Sequence, residues 1–269
     1  MMKFYEGCTA LITGASSGLG MECARQLGPY ARKLVLVARR KERLESLKTE
    51  LEQLHSGLEV TAYQVDLRDS EGRVEMVNWL AQNNMTVNLL VNNAGVGDHG
   101  EFATGSWERV KAMLELNMMA VTHLTHLLLP GMREAGRAAI LNVSSVAGFF
   151  PIPSMAVYAA TKAYVTSLSE SLAIELRRHG ITVTALCPGP VPTEFFATAE
   201  REAGRHAHVK TMPAFVVSPE EVVREGLLAV ARGRERVVPG ILLRLAVGAA
   251  LLVPFFITRE ILRLKSKQL

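Results

Sequence analysis

Hydrophobic residues along the chain form short runs that alternate with longer amphipathic stretches. The runs are typical of buried strands and cover residues 8–13, 33–38, 59–64, 87–92, 138–143 and 182–187. The stretches have helical spacing and cover residues 19–27, 40–55, 70–83, 107–129, 155–179 and 219–232, with a short strand predicted near Val237. Continuous apolar strands joined by helices predict a parallel sheet covered on both faces. Right-handed crossovers then give a doubly wound α/β fold of Rossmann type, with about seven strands.

This alternation is continuous enough to predict one domain. The chain has 269 residues, and no internal repeat, low-complexity tract or linker interrupts residues 1–239. Residues 240–269 form a separate C-terminal tail that is apolar and then basic. Hydrophobic residues make up 49% of the chain and charged residues 21%, which is an ordinary globular balance with enough material for a core.

Charge, cysteine and histidine content exclude several kinds of partner. The net charge is +4, but no basic stripe is interleaved with aromatic residues, so we expect no nucleic-acid partner. Cys8, Cys23 and Cys187 are widely spaced, which favours buried free thiols in a reducing compartment. The N-terminus has no long apolar segment, so we expect no cleaved signal and a cytoplasmic location. His123 and His126 lack partners with metal-ligand spacing, so no metal site is expected.

A glycine-rich turn, Thr13-Gly14-Ala15-Ser16-Ser17-Gly18-Leu19-Gly20, lies between the first predicted strand and the first predicted helix. Gly14 permits a tight turn, Gly18 lets the backbone approach a phosphate, and Gly20 lets the helix pack closely on the sheet. Amide groups at the helix N-terminus would then face a pyrophosphate. Many ordinary strand–helix turns also contain glycines, but this context predicts a dinucleotide site.

The end of the second strand indicates which dinucleotide binds. It reads Val37-Ala38-Arg39-Arg40-Lys41 and carries no acid that would bind the ribose 2′-hydroxyl of NAD. Arg39 offers a planar, bidentate set of donors to a 2′-phosphate. The plain alternative is a solvated helix start, although cations are unfavourable at a helix N-terminus. We therefore expect NADP(H) as the cofactor.

Tyr158 and Lys162 are four residues apart in a predicted helix, so both side chains lie on one face. A phenol titrates near pH ~10 and is a weak acid at neutral pH. A nearby ammonium favours the phenolate and lowers the pKa of the phenol. The pair is therefore predicted to donate and accept a proton, although an isolated pair of this kind is more often a surface contact.

Together these motifs resemble those of the classical short-chain dehydrogenase/reductase family. The matching residues occur in family order within residues 3–238 and are Thr13-Gly14-x3-Gly18-x-Gly20, Asp66, Asn92-Asn93-Ala94-Gly95, Asn117, Ser145, Tyr158-x3-Lys162 and Pro188-Gly189. The resemblance implies an NADP(H)-dependent oxidoreductase that interconverts a carbonyl and an alcohol by hydride transfer, and a homodimer or homotetramer. Two alternatives stay open: a non-catalytic NADP(H)-binding sensor or scaffold, and an epimerase or dehydratase that retains its cofactor.

The resemblance also implies a role for each catalytic side chain. Tyr158 would exchange a proton with the substrate oxygen, and Lys162 would bind the nicotinamide ribose and lower the pKa of Tyr158. Ser145, or alternatively Ser144, would polarise the substrate oxygen. Asn117 would hold a water that links Lys162 to solvent.

The cofactor would be held by residues along the same edge of the sheet. The expected set is Gly14, Ser16, Ser17, Gly18, Leu19, Gly20, Arg39, Asp66, Asn93, Gly95, Tyr158, Lys162, Pro188, Gly189 and Thr193. Asp66 would bind the adenine amino group, unless it is merely a turn residue, whereas Asp69 is predicted to cap a helix. Pro188 and Gly189 would close over the nicotinamide, unless they only punctuate the chain.

Residues 190–218 are predicted to form a lid over the substrate. The lid carries apolar side chains, at Phe195, Phe196, Met212, Pro213, Phe215 and Val216. Residues 149–153 and Met155 would form the facing wall. Because pockets are generally apolar with few polar anchors, this favours a hydrophobic, lipid-, steroid- or 3-oxoacyl-like substrate. The alternative is that these residues only pack the lid.

The tail departs from the pattern of the family. Residues 240–257 are interrupted only by Arg244 and Pro254, and four basic residues follow, at Arg259, Arg263, Lys265 and Lys267. A spanning helix needs ~20 apolar residues, so the tail is borderline for that role. It is predicted either to bind a membrane surface through residues 240–269 or to pack on the domain or at a subunit interface.

Overall fold

In the computed structural model, which describes residues 2–199, 212–254, 257, 260 and 263, the apolar runs form one seven-stranded sheet. The strands are β1 (Thr9–Thr13), β2 (Lys33–Ala38), β3 (Glu59–Gln64), β4 (Leu89–Asn92), β5 (Ala138–Val143), β6 (Ile181–Leu186) and β7 (Arg236–Val237). Their order is β3-β2-β1-β4-β5-β6-β7, and all six pairings are parallel. The strand order reverses between β1 and β4, where a doubly wound sheet opens its ligand crevice.

Helices cover both faces of this sheet. They are α1 (Gly18–Leu27), α2 (Lys41–Leu54), α3 (Ser70–Gln82), α4 (Trp107–Leu114), α5 (Val121–Glu134), α6 (Ala156–Leu176), α7 (Glu194–Ala199), α8 (Pro219–Ala231) and α9 (Ile241–Leu252). Leucines of α1, α2 and α8 pack together on one face, and α3, α5 and α6 pack on the other. The five inner strands, β1, β2, β4, β5 and β6, are therefore buried on both sides, which explains their consecutive apolar residues and confirms the predicted fold.

The long helix predicted over residues 107–129 is divided in the structure. A π-helical segment, Glu115–Ala120, separates α4 from α5. Such segments are rare and often occur at functional sites, because the extra residue re-aims the side chains around it. Asn117 lies in this segment and is buried.

The three cysteines are free and buried, as predicted. Burial raises the pKa of Cys8 and of Cys23 to about 12, and that of Cys187 to about 11. A thiolate is the reactive form of cysteine, so these side chains serve as small apolar packing groups.

The first part of the tail forms α9, which packs on the domain along one side only. Leu243 and Val247 join a buried cluster with Ala185, Cys187 and Val238. The residues on the opposite side of the helix are exposed. In the part of the chain that the structure describes, no helix is both long and apolar enough to cross a membrane.

Candidate active site

The glycine turn between β1 and α1 has a backbone that requires its glycines. Gly14 and Gly18 have φ values of +68° and +54°, in the left-handed region that favours glycine. A Cβ at Gly14 would lie 2.8 Å from Asn93 Nδ2 and 2.9 Å from Ala94 Cα. A Cβ at Gly20 would overlap the Gly14 carbonyl. The turn thus passes too close to the end of β4 for any larger residue at these positions.

Hydrogen bonds from the end of β4 fix this turn. The Thr13 hydroxyl accepts from the backbone N–H groups of Asn93 at 2.9 Å and Ala94 at 3.0 Å, and it donates to the Val91 carbonyl. Asn93 Nδ2 donates to the Thr13 carbonyl at 2.9 Å. Asn93 therefore stabilises the conformation of the turn. Thr13 shares that role although the sequence did not single it out as a site residue.

The N-terminus of α1 is chemically suited to a phosphate. Ser17 occupies the N-cap position, but its side chain makes no capping hydrogen bond, and the first turn contains no acidic residue. The first amide groups of a helix have no acceptor within the helix itself. With the dipole, they favour an anion at this position. The residues present therefore fit the diphosphate of a dinucleotide.

Arg40, rather than Arg39, lies over the glycine turn. Its guanidinium donates to the hydroxyls of Ser17 at 2.7 Å and Ser16 at 2.9 Å. Arg39 is exposed at the end of β2, and its carbonyl accepts from Gln64. The sequence showed the basic run but did not show which arginine points toward the turn.

Glu194, at the start of α7, was missed by the sequence analysis. Its carboxylate accepts from Arg40 at 2.9 Å and from Arg43 at 2.7 Å, and these two arginines hold its pKa below the usual range. The lid is thus tied to the same arginine that contacts the glycine turn. Nothing in the local sequence around Glu194 predicts this long-range contact.

Asp66 and Asp69 have different partners after β3. The Asp66 carboxylate accepts from the backbone and side chain of Arg68, each at 3.0 Å, and this lowers its pKa. Asp69 caps α3, as predicted, by accepting from the amides of Glu71 and Gly72.

Three of the four expected catalytic side chains meet on one side of α6. Tyr158 and Lys162 are both buried, and Ser145 lies close enough to the Tyr158 hydroxyl to influence its pKa. Ser145 is itself positioned by the Ala147 amide, which donates to it at 3.1 Å. Ser144 instead donates to the Lys162 carbonyl at 2.7 Å. The geometry therefore favours Ser145 over Ser144 as the partner of Tyr158.

The pKa of Tyr158 differs from the sequence expectation. Burial raises it to about 12, and the neighbouring Ser145 hydroxyl offsets only part of that effect. Burial also lowers the pKa of Lys162 to about 8. The lysine Nζ donates to the Val143 carbonyl at 2.8 Å and lies 5.7 Å from the Tyr158 ring centroid. Because burial disfavours the charged phenolate, the protonated phenol is the favoured form at neutral pH.

Asn117 positions the backbone beside Lys162. Its side-chain oxygen accepts from the Val96 amide at 3.0 Å, and its nitrogen donates to the Val96 carbonyl and to Thr161. Gly95 lies between Asn117 and Lys162, since a Cβ there would be 3.3 Å from Asn117 Oδ1 and 3.5 Å from Lys162 Nζ. Within the described residues, no side-chain hydrogen bond joins Asn117 to Lys162.

Residues of the segment after β6 approach Tyr158 and the glycine turn. The Phe195 ring lies 5.4 Å from the Tyr158 ring, and Thr193 contacts the position of Gly18. Apolar side chains surround Tyr158, and they are Val96, Met113, Ala147, Ile152, Met155, Val157 and Phe195. Pro188 accepts from the amide of Val146 at 3.0 Å.

Part of the expected substrate wall faces elsewhere. Phe149 packs with α9, and the Arg236 guanidinium lies 5.1 Å from its ring. Gly189 also contacts α9, where a Cβ would overlap Leu243. The lid charges at Glu200, Arg201, Arg205, His206 and His208 lie outside the described residues.

The histidines of α5 do not form a metal site with neighbouring ligands. His123 Nδ1 accepts from Arg73 Nε at 3.0 Å, and burial lowers the pKa of His123. Among the residues whose positions are described, no group of three potential ligands could hold a metal ion.

Comparison with known proteins assigns a family to this arrangement. A family model described as short chain dehydrogenase matches residues 8–204. Sulfoacetaldehyde reductase of Chromohalobacter salexigens is 37% identical over 201 residues, which are 73% of this chain and 76% of that protein. Very-long-chain 3-oxoacyl-CoA reductase of Anas platyrhynchos is 31% identical over 70% of this chain and 61% of its own length.

Solved structures show the same similarity in three dimensions. A short-chain dehydrogenase from Sphingobium yanoikuyae in complex with NADPH is 35% identical, with a TM-score of 0.78, and the match covers 87% of this chain and 88% of that one. A short-chain dehydrogenase/reductase from Burkholderia phymatum in complex with NAD is 27% identical, with a TM-score of 0.80 and coverage of 90% and 92%. Both nicotinamide cofactors therefore occur among similar proteins.

Proposed function

The chain belongs to the short-chain dehydrogenase family of oxidoreductases, and we propose that it uses NADP(H) to interconvert a carbonyl and an alcohol on a hydrophobic substrate. The observation that carries this proposal is the Tyr158 phenol, which lies beside Ser145 and is buried among apolar side chains. A donor pair in such surroundings is suited to polarise and protonate a carbonyl oxygen.

The proposed chemistry assigns one task to each residue. A bound nicotinamide supplies or accepts the hydride at the carbonyl carbon. In reduction, the Tyr158 hydroxyl gives its proton to the substrate oxygen while the Ser145 hydroxyl donates a hydrogen bond to the same oxygen. Lys162 binds the nicotinamide ribose and returns a proton to Tyr158. Asn117 holds the Gly95–Val96 backbone in place through two hydrogen bonds.

The proposal of NADP(H) rests on the cations beside the glycine turn. No acidic residue ends β2, and Arg40 lies against Ser16 and Ser17 with Arg43 nearby through Glu194. Guanidinium groups bind phosphates through charge-assisted hydrogen bonds. The NADPH complex of the Sphingobium protein supports this choice, whereas the NAD complex of the Burkholderia protein shows that the fold accommodates either cofactor.

The proposal of a hydrophobic substrate rests on the side chains around Tyr158. Ile152, Met155 and Phe195 gather at its ring, and none of them is polar. Among the relatives, the very-long-chain 3-oxoacyl-CoA reductase fits such surroundings better than the sulfoacetaldehyde reductase, whose substrate is small and anionic. We therefore favour a substrate with an extended apolar portion.

The alternative function is that of an NADP(H)-binding sensor or scaffold without turnover. It leaves the position of the Ser145 and Tyr158 hydroxyls unexplained, because cofactor binding alone needs no buried phenol beside a serine. Catalysis explains both residues and the adjacent Lys162.

A carbonyl panel tests the proposal directly. NADPH absorbance should fall with at least one member of a panel of long-chain 3-oxoacyl thioesters, ketosteroids and retinoids. Tyr158→Phe should lower kcat by ~10²–10⁴-fold, because it removes the proton donor, and fluorescence titration should show unchanged NADPH affinity.

The matched control for this variant is Tyr164→Phe. Tyr164 also lies on α6, but its hydroxyl pairs with Thr122 at 2.9 Å, so activity should be retained. If Tyr158→Phe kept more than about a tenth of the rate, its role as general acid would be wrong. NADPH binding without turnover across the whole panel would favour the sensor.

A further inference from the structure

The helix α9 is apolar on both its inner and its outer side. Leu243 and Val247 face the domain. At roughly 100° per residue, Ile241, Leu245 and Leu252 lie on the opposite side of the helix. These three side chains are 70%, 65% and 85% exposed. A surface helix normally has a polar outer side, so the apolar outer side of α9 indicates a surface that binds another molecule.

The exposed apolar surface continues beyond those three residues. Leu242, Leu251 and Val253 are also exposed. Arg244 is the one charged residue of α9, and it is held at the flank by Glu225 at 2.8 Å. Contiguous apolar surface of this kind marks an interaction site on a protein.

A basic groove runs along the flank of α9. It has a volume of about 210 Å³, with an apolar part formed by Phe149, Val247 and Leu251 and a cationic part formed by Arg234, Arg236 and Arg244. Arg236 lies 3.1 Å from Glu170, and Arg244 pairs with Glu225. Arg234 also lines the groove, and among the described residues no ion pair with a carboxylate is found for it, unlike Arg236 and Arg244.

We propose that the outer face of α9 and its basic groove dock the protein on an anionic lipid surface. The helix would lie in the plane of the interface, with its leucines among the acyl chains and the arginines at the headgroups. Its 12 residues span ~18 Å, which is too short to cross a hydrocarbon core of ~30 Å.

Charge favours lipid over a second copy of this chain. Two copies that pair through the same face by two-fold symmetry would bring the Arg234 side chains of both grooves toward each other, and like charges oppose such contact. The sequence that follows α9 adds Arg259, Arg263, Lys265 and Lys267 against a single acid, Glu260. An anionic membrane neutralises all of these cations, whereas a second copy doubles them.

The docking face is joined to the wall of the catalytic cleft. Leu243 fills the space beside Gly189, and it clusters with Val146, Phe149 and Phe215. Val146 directly follows Ser145 in the chain. Docking would therefore hold the cleft near the lipid, which suits a hydrophobic substrate. This last link rests on the proposed function, but the docking itself does not.

Vesicle co-sedimentation of the full chain tests the docking. The bound fraction should be at least ~tenfold larger with phosphatidylcholine vesicles that contain about 30% phosphatidylglycerol than with phosphatidylcholine alone, and added salt should reduce it. The double variant Leu245→Ser/Leu252→Ser should bind at least ~tenfold more weakly. Arg234→Gln should weaken binding to the anionic vesicles alone, by ~threefold or more.

The matched control is Leu54→Ser, because Leu54 is 66% exposed but lies on α2. It should bind vesicles like the unchanged protein. Equal recovery with and without anionic lipid, or no recovery at all, would overturn the proposal. The proposal would also be overturned if the double variant had a different molecular mass in solution from the unchanged protein. That result would assign the outer face of α9 to a subunit contact. NADPH consumption on soluble carbonyls, measured on the same samples, reports the proposed function separately.

Discussion

The glycine turn and α9 differ in how much of their surface the rest of the domain contacts. Every constraint on the turn comes from inside the domain, since Thr13 and Asn93 hold it with hydrogen bonds and the end of β4 leaves no space for a side chain. In α9, Leu243 is buried by the domain while Leu245 faces outward without cover. The conformation of the turn is therefore fixed by the fold itself, whereas the outer side of α9 has no such constraint from the described part of the domain.

The strongest test of this contrast is a glycine-to-alanine substitution, which adds one methyl group to the turn. Gly14→Ala should destabilise the protein by ~3 kcal/mol and abolish dinucleotide binding, because the new Cβ meets Asn93 and Ala94. Gly7→Ala is the control, because Gly7 has a similar φ of +72° with no atom within 4 Å of the new Cβ. It should lose only ~1 kcal/mol in denaturant unfolding. Equal losses for the two variants would show that the turn is not sterically locked.

The two sides of α9 should respond differently to truncation. Leu243→Ala removes a buried side chain and should lower the free energy of unfolding by ~2–3 kcal/mol. Leu245→Ala removes an exposed one and should change it by less than ~0.5 kcal/mol. Urea unfolding in the absence of lipid measures both. A large loss for Leu245→Ala would mean that the outer face is already covered in solution.

Substituting the two arginines beside the turn distinguishes a direct contact with the cofactor from a general effect of positive charge. Arg40→Ala should weaken NADPH binding about tenfold or more and leave NADH binding nearly unchanged, because a charge-assisted hydrogen bond contributes ~1.5–3 kcal/mol. Arg39→Ala removes the same charge from an exposed neighbouring position and should have the smaller effect. Fluorescence titration with both cofactors measures the preference. The larger loss in Arg39→Ala would restore the assignment made from the sequence.

The smallest expected effect is a pH dependence. Lys162, with a pKa lowered by burial to about 8, carries its proton below that pH and loses it above. Tyr158, with a pKa raised by burial to about 12, stays protonated throughout this window. The rate of carbonyl reduction should therefore fall severalfold between pH ~7 and ~9 as the ammonium is lost. Circular dichroism over the same range checks that the fold persists, and a rate that rises with pH would contradict this assignment.

Sequence patterns predicted the interior of this protein well. The boundaries of β2 and β5 match the apolar runs, because residues buried on both faces of a parallel sheet leave a continuous signal. The glycine turn was equally visible, since only glycine tolerates its backbone. Tyr158 and Lys162 were predicted from their helical spacing and Ser145 from the family resemblance, and the structure places the three side chains near one another.

Features that depend on side-chain direction were not predictable in this way. The π-helical segment at Glu115–Ala120 shifts the helix register by one residue without a clear change in composition. Arg39 and Arg40 are identical in type, and only the path of the backbone after β2 turns the second toward Ser17. The raised pKa of Tyr158 reflects its depth in the fold, which spacing along a helix does not reveal.

The burial of all three native thiols makes this protein well suited to site-specific labelling. Since Cys8, Cys23 and Cys187 stay protonated and inaccessible, a cysteine introduced at Leu252 would react with a maleimide far faster than they do. An environment-sensitive fluorophore attached there would report whether that end of the molecule enters an apolar phase, without any need to remove the native sulfhydryl groups.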